Sequence, residues 1–330
     1  MVTCLVRTRV WRDGVLEKED FPLEQVSDYL EQPDCLVWAD LISPGHDDLG
    51  QLAEELSLDP HAVEDSLSRN ERPKAMRYPT HVFLTVNPLR LDADADEISV
   101  GRVSVFSTHQ AFVTVRLDDI VDMDAVLGRW DDNSALLTCG PRALLHGLLD
   151  EIVDRYFDIT DTLNDQVDAV EDILFEEVTS TTTHDISQRT FTLRRALVDA
   201  RRAVLPMRDV VNTVTRRTAQ DEAAAQLAPY YDDLYDHILR IGDLTDSLRD
   251  EITSIFDTNM SLSDTRMNVI MKKLTSWAAI IAVPTAVTGF FGQNVPYPGF
   301  GKEWGFVYSL AIMVVIALVL YAVFRRKDWL

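Results

Sequence analysis

The chain has 330 residues, of which 54 are Asp or Glu and 31 are Lys or Arg, giving a formal net charge of −23. That balance excludes a nucleic-acid binder, which needs a basic footprint. With 13 glycines and 13 prolines the chain is neither collagen-like nor low-complexity. Cys4, Cys35 and Cys139 are widely spaced with no C-x-x-C, so neither a disulfide framework nor a zinc site is expected. The N-terminus lacks a basic region followed by a long apolar run, and no signal peptide is expected.

Residues 3–10, 35–41 and 81–86 alternate apolar and polar side chains and are expected to be strands. Residues 100–107 and 111–117, parted by Thr108-His109-Gln110, read as a hairpin. Helices are expected over residues 47–56, after Ser43-Pro44-Gly45, and 60–68, before Arg72-Pro73. Together these make residues 1–133 an α/β domain.

Beyond Pro141 the pattern is helical, and residues 134–273 are expected to form a helical bundle and stalk. Glu151, Asp154, Asp158, Asp161, Asp165, Asp168 and Asp172 recur at steps of three and four. They place one acidic stripe on a helix face, either simply solvated or cation-attracting. Proline is absent between Pro229 and Pro284, which predicts one helix of ~55 residues and ~80 Å. Leu234, Ile241, Leu248, Ile255, Leu262 and Val269 repeat every seventh residue. A second row, Ile238, Thr245, Ile252, Asn259 and Arg266, fills the other seam. A sustained heptad wants partner helices, so several chains are expected to bundle.

Residues 274–291 carry no charge and follow Lys272-Lys273; residues 305–324 carry none and precede Arg325-Arg326-Lys327. Spanning ~30 Å of hydrocarbon takes ~20 apolar residues, so two transmembrane helices are expected. The first would cover residues 274–294 with the motif at its end, the second residues 305–324. Cations on the outer flank of each run put both termini and the basic tail, 325–330, in the cytoplasm. The connection, 295–304, then lies outside an inner (plasma) membrane. From residue 274 on, Lys302, Arg325, Arg326 and Lys327 outweigh Glu303 and Asp328 by two charges, so residues 1–273 carry −25.

On the first span, Gly289, Thr285, Ala282, Ala278 and Thr275 share a small, weakly polar face that continues inward to Met271 and Asn268. The other face is expected to carry Trp277, Ile280, Ile281, Val283, Val287, Phe290 and Phe291. Such a face suits a narrow pore wall, and equally suits close packing against another helix.

The span ends in Gly292-Gln293-Asn294 and is followed by a short loop and a final span closing in Arg-Arg-Lys-Asp-Trp-Leu. This arrangement resembles the CorA metal-ion transporter family, in which a Gly-Met-Asn tripeptide occupies that place. His61-Ala62-Val63-Glu64-Asp65-Ser66-Leu67, Arg72-Pro73-Lys74, the Tyr230–His237 stretch and Asn268-Val269-Ile270-Met271-Lys272 agree in order. The resemblance implies an α+β cytosolic domain, a long helical stalk and two C-terminal transmembrane helices, assembled as a funnel-shaped homopentamer in membrane lipid. It implies a divalent-cation channel, for Mg²⁺ first, with Zn²⁺, Co²⁺ or Ni²⁺ as other cargoes. Gly292, Gln293 and Asn294 would form the selectivity ring, where neutral oxygens can bind the waters of a reluctantly dehydrating Mg²⁺. Asp257, Asn268, Met271, Leu274 and Thr285 align with pore-lining positions. Glu64, Asp65 and Asp233 match the acids of an inter-subunit regulatory Mg²⁺ site. Gln293 departs from the family's Met, and the related ZntB-like zinc transporters, coupled to protons, are the alternative reading. A non-conducting, membrane-anchored cation sensor or scaffold is a further one.

No enzyme is expected: seven histidines are scattered, with no H-E-x-x-H, G-x-S-x-G or P-loop.

Overall fold

The computed structural model describes residues 4–69, 71–92, 97–175, 180–220, 222–293 and 295–330. The chain divides into two compact units, Met1–Ile255 and Phe256–Leu330.

The first unit opens with strands β1 (Leu5–Arg12) and β2 (Val15–Glu19), a short helix α1 (Val26–Leu30) and strand β3 (Cys35–Ile42). Helices α2 (His46–Glu55) and α3 (Pro60–Leu67) follow. Then come β4 (Lys74–Arg77), β5 (Val82–Val86), β6 (Leu89–Asp92), β7 (Glu97–Val100), β8 (Val103–Ser107), β9 (Ala111–Arg116) and helix α4 (Met123–Asp132). Local chemistry starts the two helices that follow β3. The Gly45 N–H donates to the Asp48 carboxylate at 2.7 Å, and Asp59 accepts from the His61 N–H at 2.9 Å with Pro60 in the first turn.

Seven strands form one mixed sheet in the order β2-β1-β3-β9-β8-β5-β4; β6 and β7 pair separately. Only β3 and β9 run parallel among these pairings, and their register sets Trp38 beside Phe112 and Asp40 beside Thr114. Central strands β8 and β9 are buried along their whole length, because helices cover both faces. One face packs Val37, Ala39, Leu41, Val113 and Val115 against Leu49, Leu52, Ala62 and Val63. On the other, the ring of Trp130 from α4 sits edge-on to Trp38 at 5.2 Å and to Phe112 at 6.0 Å. The Trp130 N–H donates to the Leu144 carbonyl at 3.0 Å. Gly147 lies so close that a Cβ there would meet the same indole at 2.6 Å. The expected strands are present with shifted ends, save that Thr3 lies outside the described residues. The pattern missed β2, β4, β6 and β7, which are short or solvent-facing and so carry little alternation.

Three long helices complete the chain with a final span: α5 (Pro141–Phe175), α6 (Ser180–Thr218), α7 (Ala228–Phe291) and α8 (Glu303–Arg326). At 64 residues α7 exceeds the expected ~55, and Pro284 sits inside it. The heptad rows Leu234, Ile238, Ile241, Thr245, Leu248, Ile252 and Ile255 are all buried. Their partners are α5 and α6 of the same chain. Arg201 of α6 donates to Asp246 at 2.7 Å, and the phenol of Tyr231 donates to the Arg142 carbonyl at 2.8 Å. Over this stretch the heptad residues are thus buried within their own chain. Further along, Met260, Met267, Ile270 and Met271 are exposed and do leave a face without cover from their own chain.

Helix α8 extends two residues beyond each end of the expected charge-free run, from Glu303 to Arg326. The acid lies in its first turn and Arg325 and Arg326 in its last, each at the favourable end of the helix dipole.

Candidate functional site

Both α7 and α8 contain stretches long and apolar enough to cross a membrane. In the second unit, Ser276, Val283 and Val287 of α7 are buried within the chain. Thr275, Ala278, Ala282, Thr285 and Gly289 are exposed. At ~100° per residue these two sets are centred roughly 140° apart round the helix. The small, weakly polar face is thus among those that the chain's own packing leaves open, while Trp277, Ile281 and Phe290 stand exposed elsewhere round the helix. Asp257, Asn268, Met271, Leu274 and Thr285 are all exposed and fall within an arc of roughly 120° that overlaps it. The structure brings these five into line on one helix.

At the end of α7, Gly292 donates to the Thr288 carbonyl at 2.8 Å and Gln293 to Phe290 at 3.3 Å. A Cβ on Gly292 would lie 2.8 Å from the Thr288 oxygen, so the helix end closes here only on glycine. Asn294 lies outside the described residues. The loop beyond folds back tightly: Gly299, with φ of +93°, packs against the backbone of Gly305, where any side chain would strike the Gly299 carbonyl.

The three expected regulatory acids have separate surroundings within one chain. Glu64 is exposed on α3. Asp65 accepts from Lys74 at 2.6 Å, and Lys74 also reaches Glu71 at 2.8 Å. Burial works against the charge on Lys74, yet the hydrogen bonds to both carboxylates raise its pKa. Asp233 is exposed on α7, 3.7 Å from His237, and lines a cleft with Arg129, His146 and Asp150. A cation shared by Asp65 and Asp233 would therefore need a neighbouring copy, and it would compete with Lys74.

The acidic stripe on α5 is neither a plain solvated face nor a row of free charges at its start. Arg129 of α4 donates to Asp150 at 2.5 Å, Glu151 at 2.8 Å and Asp154 at 2.5 Å, and Arg155 returns to Glu151 at 3.0 Å. Further down, Asp168 and Glu171 of α5 meet Glu251 of α7, with one carboxylate oxygen from each within 4.8 Å of the others. Burial first, then Glu171 and Asp168, push the Glu251 carboxyl above its usual pKa. These three could hold a hard cation. The stripe supplied Asp168 as a signal, but Glu251 meets it only once α5 and α7 are packed.

A cavity of about 750 Å³ opens at the carboxyl ends of β3 and β9, lined by Arg7, Arg116 and Arg155 among others. Three of its guanidinium groups are matched by acids, Arg7 to Asp124 at 2.9 Å, Arg116 to Asp40 at 2.7 Å and Arg155 to Glu151 at 3.0 Å, and Arg90 donates to the Asp119 carbonyl at 3.3 Å.

An open polar face on a spanning helix, a glycine-closed helix end and a long helix shared by both units describe a membrane transport protein rather than an enzyme. The family model described as CorA-like Mg²⁺ transporter protein matches residues 34–326. The chain is 30% identical over 299 residues to the cobalt/magnesium transport protein CorA of Thermotoga maritima, covering 89% of this chain and 83% of that one. It is 24% identical over 290 residues to the zinc transport protein ZntB of Pectobacterium carotovorum, covering 83% and 82%. The complete structure of the CorA magnesium transporter from Methanocaldococcus jannaschii shares its fold, with a TM-score of 0.78, 24% identity and 100% coverage of both chains. This chain belongs to the CorA-like transporter family.

Proposed function

We propose that the chain assembles as a homopentameric channel that admits divalent cations, Mg²⁺ first, across the cell inner membrane. Both termini are cytoplasmic, and intracellular Mg²⁺ gates the channel. The observation that carries this reading is the face of α7 from Asn268 to Gly289. It is small and weakly polar in its outer part, unclaimed by the rest of the chain, and set opposite the buried line of Ser276, Val283 and Val287. Copies of α7 arranged round an axis would turn that face to the path, with Met271 and Leu274 as its apolar constriction. Gly292, Gln293 and Asn294 would stand at the mouth. Neutral carboxamide and backbone oxygens there suit an ion that keeps its waters. The transport activities named for relatives support a divalent cargo. On the cytosolic side, Mg²⁺ bridging Glu64 or Asp65 of one copy to Asp233 of the next would stabilise the closed assembly by linkage.

Similarity to ZntB favours one second reading, Zn²⁺ transport coupled to protons. Side-by-side uptake of Mg²⁺ and Zn²⁺ into liposomes holding the purified chain, with and without a pH gradient, separates the two. Mg²⁺ entry indifferent to the gradient is the expected outcome. Zn²⁺ entry that follows it would move the protein to the zinc branch, and absence of both fluxes would leave a cation sensor. In the same assay Asn294→Ala should abolish or derange selective uptake while the oligomer persists.

A further inference from the structure

The loop end of the two spanning helices encloses an apolar crevice of about 700 Å³. Val287, Phe290 and Phe291 of α7 and Trp304, Tyr308 and Ile312 of α8 wall it, and no charged side chain is among its lining. We propose that this crevice binds one acyl chain of a zwitterionic phospholipid, whose headgroup rests on Lys302 and Glu303.

Four observations converge on that occupant. The crevice has the size of a small-molecule site, in the range of about 300–1,000 Å³. Its polar atoms belong to tyrosine and tryptophan, the residues that mark the level where acyl chains meet headgroups. The walls contributed by α7 lie roughly 160° round the helix from Thr285 and Gly289, so the opening faces away from the small polar face. On its α8 wall Trp304 and Tyr308 are themselves each 51% exposed, so the crevice is open to the surroundings. Charge supplies the rest. Lys302 is the one cation in the sequence between Lys273 and Arg325, it stands two residues before Trp304, and Glu303 follows it. Adjacent positive and negative groups match the phosphate and ammonium of a zwitterionic head. The first turn of α8 has no side-chain cap; its Gly305 N–H donates to the Lys302 carbonyl at 3.0 Å, and the Glu303 and Trp304 N–H groups are left to a phosphate oxygen.

The inference requires that α7 and α8 span a bilayer; it does not require that the protein conduct Mg²⁺. The test is the phospholipid that co-purifies with the full-length chain in mild detergent, counted per chain by native mass spectrometry. Ile312→Trp fills the crevice from α8, and the expected result is loss of the retained phospholipid with the assembly mass unchanged. Lys302→Gln should weaken retention of phosphatidylethanolamine. Unchanged retention in both variants overturns the proposal. So does efficient maleimide cross-linking between copies of Ile312→Cys in vesicles, because a neighbouring copy would then fill the crevice. Ion uptake by Ile312→Trp, measured in parallel, keeps a failure here separate from a failure of the channel reading.

Discussion

At the scale of single residues, the costliest arrangement in the first unit is a charge buried in the middle of the sheet. Asp40 and Arg116 are both buried, and the guanidinium meets the carboxylate from Nε at 3.1 Å and from Nη2 at 2.7 Å. Thr114 donates to the same carboxylate at 2.6 Å and accepts from the Trp38 indole at 3.1 Å. Removing the guanidinium leaves the fully buried Asp40 carboxylate without its cation. Arg116→Met should therefore destabilise the fold by about 3–5 kcal/mol, read as a lowered melting temperature. His81 supplies a pH-dependent counterpart. It stacks on Tyr78 at 4.8 Å beside Phe106, and burial, only partly offset by Asp59, lowers its pKa below the ordinary 6.5. The unfolded chain then takes up the proton before the folded one. Stability is thus full above pH 6.5 and falls as the pH drops from there towards the depressed folded value, by up to ~1.4 kcal/mol per pH unit. A melting-temperature profile against pH should show this slope in the native chain and a flatter one in His81→Phe.

Among elements, the charged part of the junction of α4 and α5 rests on Arg129, beside the Trp130 contacts to Leu144 and Gly147. Arg129 holds Asp150, Glu151 and Asp154 at once, and its planar fork makes contacts that a lysine cannot reproduce. Arg129→Met should cost about 2–3 kcal/mol, between a surface pair and a buried one. Arg129→Lys should recover only part of that loss in the same thermal melt. This network also shows how far the sequence could be read. The acidic stripe was plain from its spacing, but its neutralising arginine sits on another helix, 21 residues before Asp150, and periodicity carries no such information. The heptad on α7 was equally plain, while its partners were not: α5 and α6 fill the seam that a repeat alone would assign to neighbouring chains. The small face of α7 was legible because a spanning helix has a fixed period and its charge-free run has fixed ends. The Asp168–Glu171–Glu251 meeting was not, since it depends on two helices separated by the whole of α6.

For the whole molecule, the dominant quantity is the −25 charge on residues 1–273, which every additional copy in an assembly multiplies. Like charges brought together oppose assembly, and two kinds of relief are available. Monovalent salt would screen the repulsion increasingly as ionic strength rises, with no preference for particular carboxylates. Mg²⁺ held between Glu64 or Asp65 and Asp233 of adjacent copies would instead stabilise the assembly by mass action, by about 2.7 kcal/mol at a hundred times its dissociation constant. The two differ in a thermal melt of the full-length protein. Mg²⁺ should raise the melting temperature well above the value in NaCl of matched ionic strength, and chelation should reverse the gain. Asp233→Asn should remove most of the difference while leaving the NaCl curve unchanged, because one charge among so many hardly alters screening. Coincident Mg²⁺ and NaCl curves would mean that the acidic body is merely screened. Gating by internal Mg²⁺ would then lose its physical basis, whereas the proposed pore-lining role of α7, which rests on a different part of the chain, would be untouched.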